Sequence, residues 1–136
     1  MMKSFFYVVT VVAFIILSST TQSAVIQERF NEARYTELRE SGAVFLVDVH
    51  ATWCPVCAKQ QQVLADYGKN NPAQNLIVLV VDFDNDKAWV RHFRAPRQST
   101  LILYAGEEQL WFSVAETSYD VIAGELNKAL KKNDKG

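Results

Sequence analysis

The sequence predicts an α/β domain with a mixed four-stranded sheet flanked by helices on both faces. Stretches with helical spacing of apolar residues alternate with short apolar runs rich in β-branched residues. Only the last two of these runs are joined by a short connection instead of a helix. Strands separated by helices pair in parallel, whereas a short connection joins antiparallel strands. The predicted order is therefore α-β-α-β-α-β-β-α.

The first half of the predicted domain contains two helices and two strands. In both helices apolar residues recur at helical spacing, and glycine or an Asn-Asn-Pro sequence follows. Both strands are nearly continuous apolar runs, which are typical of strands buried on both faces. In order, the predicted segments are a helix at Gln27–Glu40, a strand at Ala43–Val49, a helix at Cys54–Lys69 and a strand at Leu76–Val81.

The second half is predicted to contain a short helix, a β-hairpin and a last helix. Asp86 can cap the short helix, because aspartate accepts hydrogen bonds from free N–H groups at a helix start. Five residues that include a glycine separate the two strands, a spacing typical of a hairpin. The predicted segments are a helix from Asp86 through Phe93, strands at Thr100–Tyr104 and Leu110–Val114, and a helix that starts at Thr117 or Ser118.

The N-terminal residues have the layout of a secretory signal peptide. Lys3 is followed by an apolar run, Phe5–Leu17, which only Thr10 interrupts, and then by a small and polar stretch. As a helix the run would span about 20 Å, short of the roughly 30 Å hydrocarbon core of a bilayer. We expect residues 1–23 to be a signal peptide and residues 24–136 the domain, exported to the periplasm. An uncleaved membrane anchor is the alternative.

The charge of the chain gives no electrostatic reason to bind nucleic acid or an anionic membrane surface. Its 14 basic and 15 acidic residues give a formal net charge of −1, and the basic residues are scattered along the chain. We therefore expect no nucleic-acid partner, no membrane insertion after cleavage of the signal peptide, and a monomer.

The two cysteines, Cys54 and Cys57, form a CxxC pair at the predicted strand-to-helix junction. A bridge between them would close almost no loop and so would add little stability, which favours a chemical role. At a helix start the N–H groups stabilise a thiolate, so Cys54 is the predicted exposed nucleophile and Cys57 the resolving thiol. Pro55 suits the first helical position, because its fixed φ matches the helix.

Two other observations concern the chemistry of the pair. A closed zinc site needs four ligands, and only His50 and His92 could complete one with the thiols. Asp48 is a carboxylate inside a predicted buried strand, and burial raises a carboxyl pKa. Asp48 could accept the proton of Cys57, or it could be a strand-edge residue with a solvent or backbone partner.

The segment Val47–Cys57, V-D-V-H-A-T-W-C-P-V-C, resembles the active-site segment of the thioredoxin family, which commonly reads V-D-F-W-A-x-W-C-G-P-C. The resemblance extends over the whole predicted domain and implies a thioredoxin-like fold with a redox-active Cys54–Cys57 disulfide. It also implies that Asp48 is the buried proton acceptor and that Trp53 flanks the nucleophile.

The chain departs from the family pattern at three places. Pro55 and Val56 replace the usual Gly-Pro dipeptide, which helps to tune the reduction potential. His50 replaces an aromatic residue, and strand alternation places it on the Asp48 side. Ser99, just before Thr100, stands where the family has a cis-proline, so we expect a trans Gln98–Ser99 bond. Some exported bacterial thioredoxin-like proteins carry a similar combination of Trp-Cys-Pro-x-Cys and Gln-Ser-Thr, and the chain resembles those.

The predicted function is thiol–disulfide exchange with protein substrates, without a cofactor. Periplasmic oxidants of this family carry a helical domain after the active-site helix, for which residues 70–75 leave no room, so a reductant is favoured over an oxidant. Such a reductant would need a membrane electron donor. The alternatives are an exported copper- or zinc-handling protein that uses both thiolates with His50, and a non-catalytic interaction module.

Overall fold

The structure, a computed structural model, describes residues 24–135 of the chain. The predicted signal peptide, residues 1–23, lies outside the described residues. The elements in chain order are β1 (Val25–Arg29), α1 (Glu32–Glu40), β2 (Val44–His50), α2 (Pro55–Asn70), β3 (Leu76–Asp82), α3 (Lys87–His92), β4 (Thr100–Ala105), β5 (Glu108–Val114) and α4 (Tyr119–Asn133).

The sheet is mixed and has the strand order β1-β3-β2-β4-β5. Strands β1, β3 and β2 are parallel to one another, whereas β4 is antiparallel to both β2 and β5. The predicted α/β class, the mixed sheet and the helices on both faces are confirmed. The predicted number of strands is wrong, because the sheet has five strands and not four.

The fifth strand is β1, whose last three residues, Gln27–Arg29, lie in the segment predicted as the first helix. Its residues pair with β3 from Val25 opposite Leu76 to Arg29 opposite Val80. Helix α1 begins only after Asn31, whose side chain accepts a hydrogen bond from the Arg34 N–H. As an edge strand, β1 is mostly exposed and carries polar residues, so its sequence lacks the apolar run that identified the other strands.

The hairpin between β4 and β5 is tighter than predicted. Strand β5 begins at Glu108, so two residues, Gly106 and Glu107, form the connection in place of five. Gly106 has a φ of +57°, which favours glycine, and a Cβ there would lie 3.0 Å from the Gly42 Cα. The turn therefore packs against the end of α1.

Side chains of β2 alternate between two apolar layers. Val44 and Leu46 pack with residues of α2 and α4, whereas Phe45, Val47 and Val49 pack with residues of α1 and α3. By the same alternation Asp48 and His50 lie on the α2 side, at the carboxyl end of the strand. Helix α2 starts five residues beyond β2, and its Gln61 side chain contacts Asp48.

Within residues 24–135 no helix is both long enough and apolar enough to cross a bilayer.

Candidate active site

The cysteine pair lies at the N-terminus of α2, with Cys54 as the N-cap residue. Cys54 has extended backbone angles, and its Sγ accepts a hydrogen bond of 3.1 Å from the Cys57 N–H. Pro55 occupies the first helical position, where the missing N–H costs no hydrogen bond. The sulfur of Cys54 therefore takes the place of the usual N-cap oxygen, where the helix dipole favours a negative charge.

The two thiols have opposite pKa shifts. Burial raises the pKa of Cys54, but hydrogen bonds from Cys57, the Gln98 side chain and the Val56 N–H outweigh this effect and hold it below 9.0. Burial raises the pKa of Cys57 to about 12, and the hydrogen bond to Cys54 and the negative charge of Asp48 contribute to this rise. Cys54 is therefore the thiol that ionises first, and Cys57 keeps its proton.

The prediction that Cys54 is exposed is wrong. Cys54 is only 3% exposed and Cys57 is fully buried. Both pack in a small cluster with Ala51, Val56 and Phe83, and the Cys54 sulfur turns inward to its N–H donor. Only a small part of Cys54 is therefore accessible to a substrate disulfide.

Trp53, next to the nucleophile, is 59% exposed and is held on the surface by one hydrogen bond. Its Nε1–H donates to Oδ2 of Asp84, 2.7 Å away, in the loop after β3. The indole therefore offers an exposed apolar surface next to Cys54 in the chain.

Asp48 is fully buried, and one of its carboxyl oxygens has no hydrogen-bond partner. The other oxygen, Oδ2, accepts a hydrogen bond from the Gln61 side chain of α2. Burial raises the pKa of Asp48 to about 7, although the Gln61 hydrogen bond opposes this shift. At neutral pH the carboxyl group can therefore both accept and release a proton.

His50 lies beside Asp48, as strand alternation predicted. Its Nδ1 is 3.9 Å from Asp48 Oδ2, and Nδ1 is buried without a hydrogen-bond partner. Burial lowers the pKa of His50, while the charge of Asp82 opposes this change. The imidazole is thus neutral at pH 7 and can accept a proton. It lies beside the Asp48 carboxyl group.

The loop before β4 has an unusual backbone at Ser99. Ser99 is buried and has a φ of +60°, a left-handed conformation that is uncommon for serine. Its N–H donates to the Val49 carbonyl at 2.8 Å, and its hydroxyl donates to the Gln98 carbonyl. No peptide bond in residues 24–135 is cis, which confirms the predicted trans Gln98–Ser99 bond.

Two further side chains hold this loop in place. The Thr100 hydroxyl, also buried, donates to the Arg97 carbonyl at 2.7 Å. The side-chain amide of Gln60 in α2 donates to the Ser99 carbonyl at 3.1 Å and to the Glu116 carbonyl at 3.0 Å. The loop is therefore tied to the helix that carries the cysteines.

Comparison with solved structures identifies the family. Trxlp from Edwardsiella tarda EIB202 has a similar structure, with a TM-score of 0.68 and 42% sequence identity; the match covers 74% of this chain and 97% of that one. This chain belongs to the thioredoxin family. Thioredoxin from Trypanosoma brucei brucei matches at 14% identity and a TM-score of 0.65, over 86% of this chain and 99% of that one. A mutant thioredoxin from Halobacterium salinarum NRC-1 matches at 19% identity and a TM-score of 0.65, over 81% and 95%. No protein-family model and no curated protein matches the chain.

Membership of the thioredoxin family together with the CxxC pair supports thiol–disulfide redox chemistry. The two more distant thioredoxins, below 25% identity, show only that the fold is shared. In residues 24–135 no three His, Cys, Asp or Glu side chains are grouped to hold a metal ion.

Three glutamines of this thioredoxin-family protein contact the site, and sequence reasoning missed all of them. Gln60 binds the Ser99 loop, Gln61 binds Asp48, and Gln98 donates to Cys54. Gln60 did carry a signal, because it lies four residues from both Val56 and Leu64 on the apolar side of α2. A polar residue at such a position needs a buried partner. Nothing in the local sequence distinguishes Gln61 or Gln98 from glutamines that do not contact the site.

Proposed function

We propose that this protein is a thiol–disulfide oxidoreductase that reduces disulfides in protein substrates. The observation that carries the proposal is the asymmetry of the cysteine pair. The pKa of Cys54 is lowered at the helix N-terminus, whereas that of Cys57 is raised to about 12 beside a buried carboxyl group. One sulfur is thus prepared to attack and the other to hold its proton until the second step.

In the first step the Cys54 thiolate attacks a disulfide of the substrate. A bond forms between Cys54 and one substrate sulfur, and the substrate S–S bond breaks. Its electron pair leaves with the other substrate sulfur as a thiolate, which takes a proton from solvent. The exposed indole of Trp53 supplies an apolar contact for the polypeptide around that disulfide.

In the second step Cys57 resolves the mixed disulfide. Its thiol transfers its proton to the ionised Asp48 carboxylate, and its sulfur attacks that of Cys54. The Cys54–Cys57 disulfide forms, and the second substrate sulfur leaves as a thiolate. The protein has then lost two electrons and the substrate has gained them. The pKa of about 7 at Asp48 suits this transfer at neutral pH.

The direction and the compartment are further parts of the proposal. Residues 71–75 connect α2 directly to β3, at the place where periplasmic oxidants of the family carry an inserted helical domain; this supports a reductant. The signal-peptide layout of residues 1–23 supports export to the periplasm. There a reductant needs a membrane electron donor to restore its thiols.

Equilibration of residues 24–136 with mixtures of reduced and oxidised glutathione tests the proposal. Tryptophan fluorescence reports the redox state, and Cys57→Ser, which cannot close the disulfide, is the control. A potential near about −270 mV supports a reductant, and one near about −120 mV contradicts that direction. A pair that never equilibrates with glutathione contradicts the oxidoreductase function altogether.

A further inference from the structure

A surface cleft of about 350 Å³ opens beside the site, on the side of the sheet that carries α2. It lies over the ends of β1, β3 and β2. The residues of the cleft that matter for the argument are Glu28, Arg29, His50, Thr52 and Asp82. His50 and Asp82 are opposite each other in the parallel pairing of β2 with β3, so the imidazole has a carboxylate next to it in the cleft.

Asp48 does not line this cleft, whereas His50 lines the cleft and also faces Asp48. The Asp48 carboxyl is fully buried, whereas the His50 side chain is 22% exposed. Its Nδ1 faces Asp48 Oδ2 at 3.9 Å, and neither Nδ1 nor the second carboxyl oxygen of Asp48 has a hydrogen-bond partner. The other neighbour at Oδ2, Gln61, is an amide that cannot carry a proton away. At 3.9 Å the two atoms lie outside hydrogen-bond range, so proton transfer requires the imidazole to move toward Oδ2.

We propose that His50 relays protons between Asp48 and the solvent of the cleft. The relay rests on the proposed function, in which Asp48 takes the proton of Cys57. The protonated carboxyl of Asp48 then gives this proton to Nδ1 of the neutral imidazole, and the proton on Nε2 leaves to water in the cleft. Asp48 is again ionised, and the ring returns to its first tautomer by exchange with water. His50 touches neither sulfur and acts on the cysteines only through Asp48, so it is a positioning residue and not a catalytic one.

The charges around the imidazole suit this transfer. Burial lowers the pKa of His50, so the ring is neutral and able to accept at pH 7. Hydrogen bonds from Asn85 and from the N–H groups of the following loop hold the pKa of Asp82 below 3.8, so it remains ionised and stabilises the transient imidazolium. Glu28 and Arg29 line the same cleft, with charges of opposite sign.

The two steps can be separated with an aromatic disulfide, 5,5′-dithiobis(2-nitrobenzoate), mixed with an equimolar amount of reduced protein in a stopped-flow instrument. Attack by Cys54 releases one coloured thiolate, and resolution by Cys57 releases the second. We expect His50→Gln to slow the second phase about five- to tenfold at pH 7 and to change the first less than twofold. His92→Gln, the same change at the other histidine and on exposed α3 surface, should alter neither phase.

Chemical rescue distinguishes proton relay from a structural role. His50→Ala leaves space at the cleft, and added imidazole should restore most of its second-phase rate, while imidazole leaves the wild-type rate unchanged. An unchanged second phase in His50→Gln, an equal slowing of both phases, or a slow second phase that imidazole does not restore would overturn the relay. A wild-type protein that shows no second phase contradicts the proposed function instead.

Discussion

Replacing Asp48 by asparagine tests whether the buried carboxyl group controls how stability depends on pH. Burial raises the pKa of Asp48 from 3.8 to about 7 in the folded protein. A raised folded-state pKa means that the folded protein holds the proton more tightly than the unfolded chain does. The stability linked to this group is therefore complete below about pH 4 and is lost as the pH rises through 7.

The magnitude follows from the same shift. Between pH 5 and about pH 7 the Asp48 carboxyl group is protonated in the folded protein but ionised in the unfolded chain. Each pH unit in this window lowers the free energy of unfolding by about 1.4 kcal/mol, and the rise from pH 5 to pH 8 crosses about two such units. The wild type should therefore lose about 3 kcal/mol of unfolding free energy that Asp48→Asn does not lose. The asparagine side chain has the same shape as that of aspartate and leaves Gln61 as its neighbour, but it does not ionise.

Urea unfolding of the reduced proteins at pH 5 and pH 8 measures this difference. Asp66→Asn is the matched control, since Asp66 lies on α2 with its side chain 45% exposed; because it keeps Asp48, its loss between the two pH values should match that of the wild type within about 0.5 kcal/mol. Equal losses in the wild type and Asp48→Asn would refute the reasoning, because the carboxyl would then titrate alike in the folded and unfolded chains.

Two further predictions concern the loop that faces the cysteines. Ser99→Pro should lower the unfolding free energy by about 3–5 kcal/mol in urea titrations, because proline cannot adopt a φ of +60° and removes the N–H bonded to β2; unchanged stability would contradict this account of the loop. Gln98→Ala should raise the pKa of Cys54 and slow its alkylation by iodoacetamide at pH 7 about three- to tenfold, because one donor to the thiolate is lost. An equal rate in the wild type and Gln98→Ala would show that the helix N-terminus alone stabilises the thiolate.

The central elements could be predicted from the sequence because their signals are local. Strand β2 is a continuous apolar run that one carboxylate interrupts, and α2 follows it with helical spacing and a proline at its first position. Strand β1 could not be predicted in this way. Its polar residues lie at an exposed edge, and only pairing with β3 across the fold makes the segment extended.

The same distinction applies to the site. The closeness of Asp48 to Cys54 and Cys57 could be predicted because a strand, a turn and a helix start place them within ten residues, whereas the role of Asp48 as proton acceptor was implied only by the family resemblance. The burial of Cys54 could not be predicted, because it depends in part on Phe83, which is distant in sequence. Contacts such as the one from Gln60 to the Ser99 carbonyl span 39 residues, and no periodicity encodes them.

Gln60 and Gln61 explain how a loop without the family's proline can be held beside the cysteines. Adjacent residues of an α-helix point about 100° apart. One side chain therefore reaches the Ser99 loop while the next reaches Asp48 on β2. Because the same helix begins at the cysteine pair, the nucleophile, the proton acceptor and the loop facing the sulfurs are fixed to one rigid element. A shift of α2 would change all three contacts at once, so the geometry of the site depends on this helix as well as on the hydrogen bond from the Ser99 N–H to β2.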